Sequence, residues 1–598
     1  MPRLARAPAA LPGRFRNWIL SAGLAAVVGW IYGPAIRGTS LWDDDSQIFH
    51  NPALRTAAGL AASWTAPATP DYLPLLDAVE WLQWHAWGGR VAGYHATNVA
   101  LHLLGALLLW RLLTRLGARG AAWVGWLFAV HPLAVESVAW MAELKNTLSL
   151  PLLLLALTAY VDYDLRGRRG SYAAALGLFL AALLCKASVV MLPAVLLLYA
   201  LWRHGRIRLR DLRDSAPFFG LAVLLGAAAV WFQDRYALGE LRPLAPGLAV
   251  RGAQAMSSLG FYLGRILWPS PLMPVYPAYA HVILRSALAG LAVALAVAAG
   301  WRSRGPAVRA AWFGGGFIVL NLVPVLGLLP MSYLRLAPVA DHLAYIALAG
   351  GCGLVGAGLG ALGLSRAAGW LATAVGGVLV VLLAVAARGQ AFHYRNAVDF
   401  WTYAANHNAD SWMVQENLGS ALLGAGQPAA ALPHFERARL AQPAAAEVMV
   451  NGADALLHLG RVPEAVAWAE AGVRLEPGFS SAHYNLGNAL VRAGRLEDAV
   501  PHFQAAARLE PGAAEIRYNL GTALAELGRG PEAIEQLGAA VRADPENYAA
   551  RMNLANVLAA SGRMAEAITE LEEARRLRPG DPEVAAALAD AKARSTGR

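Results

Sequence analysis

The stretch Asn485 to Pro511, NLGNALVRAGRLEDAVPHFQAAARLEP, decides the fold of the last third or so of the chain. Its asparagine belongs to a series, Asn417, Asn451, Asn485, Asn519 and Asn553, spaced by 34 residues. Its proline belongs to another with the same spacing, Pro443, Pro477, Pro511, Pro545 and Pro579. NLGxxL opens one helix, Gly494-Arg495 makes a turn, and Ala499 enters a second helix. A helix–turn–helix unit of this period is the tetratricopeptide repeat, whose apolar faces are buried only by stacking on neighbouring units. The pattern predicts five repeats over 410–579, preceded by a half repeat at 396–409 around Ala397, Trp401 and Ala404. A capping helix over 580–598 is expected to close the array, giving a repeat domain over 393–598.

The preceding 392 residues obey a different rule. The whole chain is 57% hydrophobic and 15% charged, too apolar for an ordinary soluble enzyme of 598 residues. After a basic N-terminus with Arg3, Arg6, Arg14 and Arg16, an apolar run extends from about Trp18 to Ile36, long enough to span a bilayer and be retained. Further apolar segments lie near 93–113, 119–135, 144–162, 171–185, 187–202, 215–233, 282–300, 308–330, 339–363 and 368–388. Arginines cluster at alternate joins, as topology determinants do, and carboxylates occupy the others. The formal charge of +10 is therefore read as topology, not as a nucleic-acid interface, for no basic groove with interleaved aromatics accompanies it. Cys185 and Cys352 sit in apolar runs as small core residues.

The segment 253–268 carries Arg265 and disturbs the alternation if it is counted as a span. An interfacial or re-entrant helix there preserves the charge parity and leaves about eleven spans. An odd count puts the repeats opposite a cytoplasmic N-terminus. The expected architecture is all-α: a polytopic helical membrane domain over 1–392, then a tetratricopeptide-repeat α-solenoid.

Trp42 to Pro52, WDDDSQIFHNP, follows the first span and holds Asp43, Asp44 and Asp45. Three carboxylates beside a bilayer are costly unless they face an aqueous cavity or a cationic ligand. Other polar residues gather at the same set of joins. His95, Asn98 and His102 share a helical face, as a polar seam between helices or, with further ligands, a metal site. HPLAVESVAWMAELKN contributes His131, Glu136, Trp140, Glu143 and Lys145, read as a helix beyond Pro132 at an aqueous boundary. Lys186 interrupts an apolar run and either snorkels to the boundary or binds an anion, a phosphate by preference. Arg265 and Arg335 are candidate phosphate clamps, and RLAPVADHLAY adds Asp341 and His342.

WDDDSQIFHNP, HPLAVESVAWMAELKN, CKASVVMLP and ADHLAYI, in this order and followed by the repeats, resemble the transmembrane and tetratricopeptide-repeat (TMTC-like) proteins, which are similar to protein O-mannosyltransferases of the GT-C membrane glycosyltransferase class. The resemblance covers essentially the whole chain. It implies a GT-C-like membrane domain that transfers a sugar, mannose by the resemblance, from a polyprenyl phosphate to Ser or Thr hydroxyls of extracytoplasmic proteins. The catalytic base falls on Asp44 or Asp45, with Asp43 as the weaker choice. Asp43, His131, Glu136, Lys145, Lys186, Arg265, Arg335, Asp341 and His342 are the expected substrate-binding residues. Related sequences tend to read Asp-Arg-Tyr where Asp341-His342-Leu343 stands, so an arginine contact is either lost or replaced by His342. No cofactor and no metal site is firmly implied, and dependence on a divalent metal stays open. The expected partners are the lipid-linked donor and an acceptor protein or peptide on the repeats, with no nucleic acid. The expected location is a bacterial inner membrane with periplasmic repeats. Two alternatives remain: a non-catalytic membrane-anchored repeat scaffold, and a GT-C enzyme acting on a lipid or polysaccharide.

Overall fold

The computed structural model describes residues 13–65, 71–238, 247–277, 288, 290, 306–329, 331, 333–335, 337–363 and 366–596. Among these residues the secondary structure is helical, with no strand. Residue contacts divide the chain into two compact units, Met1–Asn408 and Ala409–Arg598. The helix Ala397–His407, read from sequence as a half repeat, falls within the first unit, where Tyr403 donates to the Leu272 carbonyl at 2.8 Å.

In the first unit, eight described helices are long and apolar enough to cross a membrane, and nine if one bent pair counts as a span. Ala121–Val130 and Pro132–Ala139 form that pair, with a 57° bend. Pro132 supplies no N–H at the break, and the His131 side chain accepts from Leu133 N at 3.2 Å, so the run 119–135 is not one straight helix. Arg169–Leu183 is apolar but short, about 22 Å at 1.5 Å per residue against a hydrocarbon core of about 30 Å. The segment 282–300 lies almost wholly outside the described residues. The candidate interfacial segment 253–268 belongs to a longer helix, Leu248–Leu267, which buries Ala255, Leu259, Tyr262 and Ile266 and leaves Val250 exposed.

Small residues set the closest approaches. Where lipid tails are as apolar as leucine, helices associate through contact and not through escape from water. A Cβ at Gly356 would lie 2.4 Å from Val124 Cγ2, and one at Gly360 2.5 Å from the Arg119 carbonyl carbon. Gly120, at φ +80°, faces the Gly356 carbonyl just as closely. Ala121–Val130 can therefore lie directly against Tyr345–Leu362. Helices at the rim do the opposite: on Leu209–Phe232, Val223 and Leu224 are 70% and 66% exposed, as lipid-facing residues are.

The first and the last spanning helices, Gly13–Ile36 and Arg366–His393, end side by side. Thr39 N donates to the Arg395 carbonyl at 2.9 Å just beyond both.

The second unit is five helix pairs from Trp412 to Leu577, closed by Pro582–Thr596. The repeat's glycine opens room for the residue sixteen positions on: a Cβ at Gly487 would meet the Phe503 ring at 2.6 Å, and at Gly419 the Phe435 ring at 2.8 Å. The turn glycines Gly426, Gly460, Gly494, Gly528 and Gly562 all have φ between +72° and +77°, the left-handed ending that glycine adopts without a Cβ penalty. Leu456, Leu486, Leu490, Phe503 and Leu520 form one core running through successive pairs.

Replacing Gly356 by Val should separate two helices that touch, at a cost of about 1–3 kcal/mol from overpacking. Gly358→Val, with nothing within 4 Å of its Cβ, should leave the protein unchanged. The unfolding midpoint of the purified chain in detergent checks both.

Candidate active site

The acidic stretch is folded by its own side chains. Trp42 takes a positive φ of 44°, unusual for a non-glycine residue and tolerated only where packing holds it. Its indole stacks on Trp140 with centroids 5.2 Å apart and planes 3° from parallel, and meets Trp401 edge-on at 5.0 Å. This turns the chain so that Asp44 points inward while Asp45 points to the surface. Both Asp44 oxygens accept backbone N–H groups at 2.8 Å, one from Leu41 and one from Ala142, nearly a hundred residues away. Beyond it, Asn51 accepts from Ala53 N at 3.0 Å and closes the turn before Pro52, while Ile48 and Leu54 pack on Tyr94 and Met141.

The stretch from His131 to Asn146 is not the single helix read from sequence. It breaks into short turns, Pro132–Ala134, Val135–Ala139 and Met141–Glu143, before Leu144–Arg166 begins. The break at Trp140 frees Ala142 N for Asp44, and Asn98 Nδ2 holds the Trp140 carbonyl at 3.0 Å. The carboxylates are buried within the protein and not set at an exposed boundary, Glu136 and Glu143 being each 2% exposed, while the Lys145 side chain is 26% exposed.

A charged cluster lies against this turn. His342 Nδ1 is 3.1 Å from Glu136 Oε1, its backbone N–H donates to Glu136 Oε2 at 2.9 Å, and its Nε2 is 3.9 Å from Glu143 Oε1. Lys145 Nζ is 3.1 Å from Glu143 Oε1. Asn146 donates to Glu143 and accepts from Lys186, carrying the network to the lysine that interrupts the apolar run. Asp341 accepts from the Tyr276 hydroxyl at 2.9 Å, and the Arg265 guanidinium lies over the Tyr276 and Phe261 rings at 5.9 and 5.1 Å.

Asp43 belongs to this cluster. Burial pushes its carboxyl up to about 6, against the pull of Lys145 and His342 and with the repulsion of Glu143. Gln47 donates to one of its oxygens, and the other, Oδ1, is buried without a hydrogen-bond partner. Asp44 is also raised by burial, but its two backbone bonds occupy both oxygens.

Of the residues singled out from sequence, Asp43, Glu136, Lys145, Lys186, Asp341 and His342 thus gather with Glu143 and Asn146. Asp44 is the strut beneath them, and Asp45 is exposed. His131 caps a turn and reaches the Ile266 carbonyl at 3.2 Å, occupying both ring nitrogens. The side chain of Arg335 lies outside the described residues. His102 contacts the Tyr345 hydroxyl at 2.8 Å and the Ala129 carbonyl at 3.1 Å, as a seam does. Among the described residues no group of three or more His, Cys, Asp or Glu could hold a metal ion. Tyr333, not singled out from sequence, sets its ring edge-on to His342 at 5.1 Å with a buried hydroxyl that lacks a partner. No spacing signal links it to Glu136 across nearly two hundred residues.

Asp44→Ala should leave two buried N–H groups without acceptors and cost about 1–3 kcal/mol for each. Asp45→Ala should cost nothing measurable. Unfolding midpoints in detergent, with protease cleavage between Trp42 and Pro52 as a local readout, separate the two.

The tetratricopeptide-repeat family matches residues 417–478, 484–541 and 526–582. Among curated proteins, the chain is similar to the protein O-mannosyl-transferase Tmtc1 of Drosophila melanogaster, 31% identical over 181 residues, covering 28% of this chain and 21% of that protein. It is likewise similar to the protein O-mannosyl-transferase TMTC1 of Mus musculus, 32% identical over 175 residues, 26% of this chain and 18% of that protein. The matched stretch spans about a fifth of the length of these relatives. Among solved structures, YrrB, a TPR protein with an unusual peptide-binding site, matches 33% of the chain and all of its own at 24% identity, TM-score 0.29. A thermophilic TPR protein of Thermus thermophilus, TTC0263, matches 31% of the chain and all of its own at 26% identity, TM-score 0.26. The chain therefore joins a unit of apolar, membrane-spanning helices to tetratricopeptide repeats, and over part of its length it is similar to TMTC proteins.

Proposed function

We propose that this protein is a membrane glycosyltransferase that moves a sugar, mannose, from a polyprenyl-phosphate carrier to a Ser or Thr hydroxyl of an extracytoplasmic protein. The observation that carries the reading is Asp43: a carboxylate with one buried, unpartnered oxygen, beside Lys145, Glu143 and His342 in a membrane unit. Similarity of part of the chain to proteins named O-mannosyl-transferases supports the reaction class.

In this reading Asp43 is the base, in preference to Asp44 and Asp45. Both Asp44 oxygens are engaged by structural backbone N–H groups, and Asp45 is exposed. As the acceptor oxygen bonds to the anomeric carbon, its proton passes to Asp43 and the bond from that carbon to the phosphate oxygen breaks. Polyprenyl phosphate leaves with the bonding electrons and the sugar is inverted. A carboxylate held near about 6 is a better proton acceptor than an ordinary one and is still ionised at neutral pH. Lys186, oriented by Asn146, meets the phosphate charge, and Arg265 borders the site beside Tyr276 and Asp341. Glu136 and Glu143 hold His342 and Lys145 in place. The repeats engage an acceptor or partner polypeptide. Their hollow of about 410 Å³ is lined by Asp454, His458, Asn488, Arg492, Asn519 and Glu526, groups suited to a polar extended chain.

Membranes given radiolabelled polyprenyl-phosphate mannose should label protein. Asp43→Asn should lower that transfer by about 10²–10⁴-fold with the protein still folded. Transfer unaffected by this change would refute the base, and no transfer from any polyprenyl-phosphate sugar would favour the scaffold reading. The pH profile is a separate check. The base must be ionised, so the rate should fall as pH drops through about 6. Because Lys145 lowers the Asp43 pKa, Lys145→Gln should move this acidic limb to higher pH.

A further inference from the structure

A furrow of about 610 Å³ lies between the C-terminal ends of the first and last spanning helices, and none of the residues assigned to the candidate active site lines it. Its walls are apolar and aromatic, its floor is bare, and its mouth is basic. Gly29 and Gly33 leave one face of the first helix without side chains; a Cβ at Gly29 would meet nothing within 4 Å. Trp30 and Phe392 flank the furrow and are 46% and 41% exposed. Val381 and Val385, on the same last helix, are 61% and 57% exposed, so the neighbouring surface is one that lipid tails cover.

The arginines at the mouth are arranged and uncompensated. The Arg388 guanidinium lies between two rings, 4.6 Å over Trp30 and 5.2 Å over Phe392, and donates to the Trp30 carbonyl. Stacking fixes its plane and leaves further N–H groups along its edge. Arg37 is exposed at the end of the first helix. Among the described residues no carboxylate pairs with Arg37 or Arg388, whereas Arg395 beside them is paired with Asp399. Two unpaired guanidinium groups at the rim of an apolar furrow, at the end of two bilayer-spanning helices, match an amphiphile with an anionic head and acyl tails.

We infer that this furrow binds an anionic phospholipid of the surrounding bilayer, with its head-group phosphate at Arg37 and Arg388 and an acyl chain along Gly29, Gly33 and Phe392. Free phosphate would use the arginines but not the furrow. The backbone bond from Thr39 to Arg395 lies at the same mouth, four residues before Asp43, so the lipid braces the point where the acidic loop starts.

The test is lipid retention by the full-length chain. Delipidated protein in detergent is titrated with dioleoylphosphatidylglycerol, dioleoylphosphatidylcholine, inorganic phosphate or a polyprenyl phosphate, and bound lipid is counted by native mass spectrometry. One phosphatidylglycerol should be retained in preference to phosphatidylcholine. Affinity should fall about five-fold in Arg37→Gln and about thirty-fold in Arg37→Gln/Arg388→Gln, following the attraction of one anionic head group to each arginine. Arg37 is exposed, so its variant should keep the fold. Gly29→Leu keeps both charges, fills the furrow, and should also abolish retention. Arg166→Gln, outside the furrow, should change nothing. Equal retention of both phospholipids, or retention unchanged in the double variant or in Gly29→Leu, would overturn the site. Retention of inorganic phosphate as strong as that of phosphatidylglycerol, or preference for the polyprenyl phosphate, would overturn the assigned occupant.

Discussion

Asp44 is the bond on which the membrane unit's polar interior depends. One carboxylate joins the loop after the first span to the broken helix before Leu144 by accepting Leu41 N and Ala142 N, both at 2.8 Å. A buried acceptor satisfied on both oxygens is stabilising, and leaving its donors bare is costly, so the two segments are tied in one register. Trp42 on Trp140 adds an apolar clasp beside that tie. With the loop fixed, Asp43 is held against Lys145, Glu143 and His342, and Asp45 is left on the outer face.

Around this tie the two units solve different packing problems. In the membrane unit glycines admit close backbone approach, as Gly356 does against Val124, because apolar side chains gain nothing by leaving lipid for protein. In the repeat unit the same residue type has another use, making room for Phe435 and Phe503, and there burial from water supplies the stabilisation. The periodic ion pairs of that unit, such as Arg461 with Glu464 and Arg529 with Glu532, are half-exposed and contribute little beside the core.

The five helix pairs of the repeat array are legible in the sequence because their 34-residue period repeats local chemistry, an asparagine, a turn glycine and a closing proline at fixed offsets, whereas the array's start is not: Ala397–His407 shares the repeat's register yet falls within the first unit. The membrane segments are legible as apolar runs, but hydropathy does not register where a run breaks, so the kink at His131-Pro132 and the short turns up to Glu143 look like continuous helix. The site is legible only as an inventory. Glu136 and His342 each stand out as polar residues at joins, yet nothing in their spacing says that they face one another at 3.1 Å. Three consecutive aspartates look equivalent in a sequence. Their different fates follow from the left-handed Trp42, a backbone conformation that composition does not reveal.

If Asp43 is the base, a lipid-linked sugar sits with its anomeric carbon before Asp43 and its phosphate toward Lys186. A density map of the full-length protein with a non-transferable polyprenyl-phosphate mannose analogue tests it most directly. The sugar should lie within hydrogen-bonding reach of Asp43 and the phosphate against Lys186, with the bonds from Leu41 and Ala142 to Asp44 intact. A phosphate bound away from Lys186, or a sugar facing Asp44 or Asp45 with Asp43 turned aside, would contradict it.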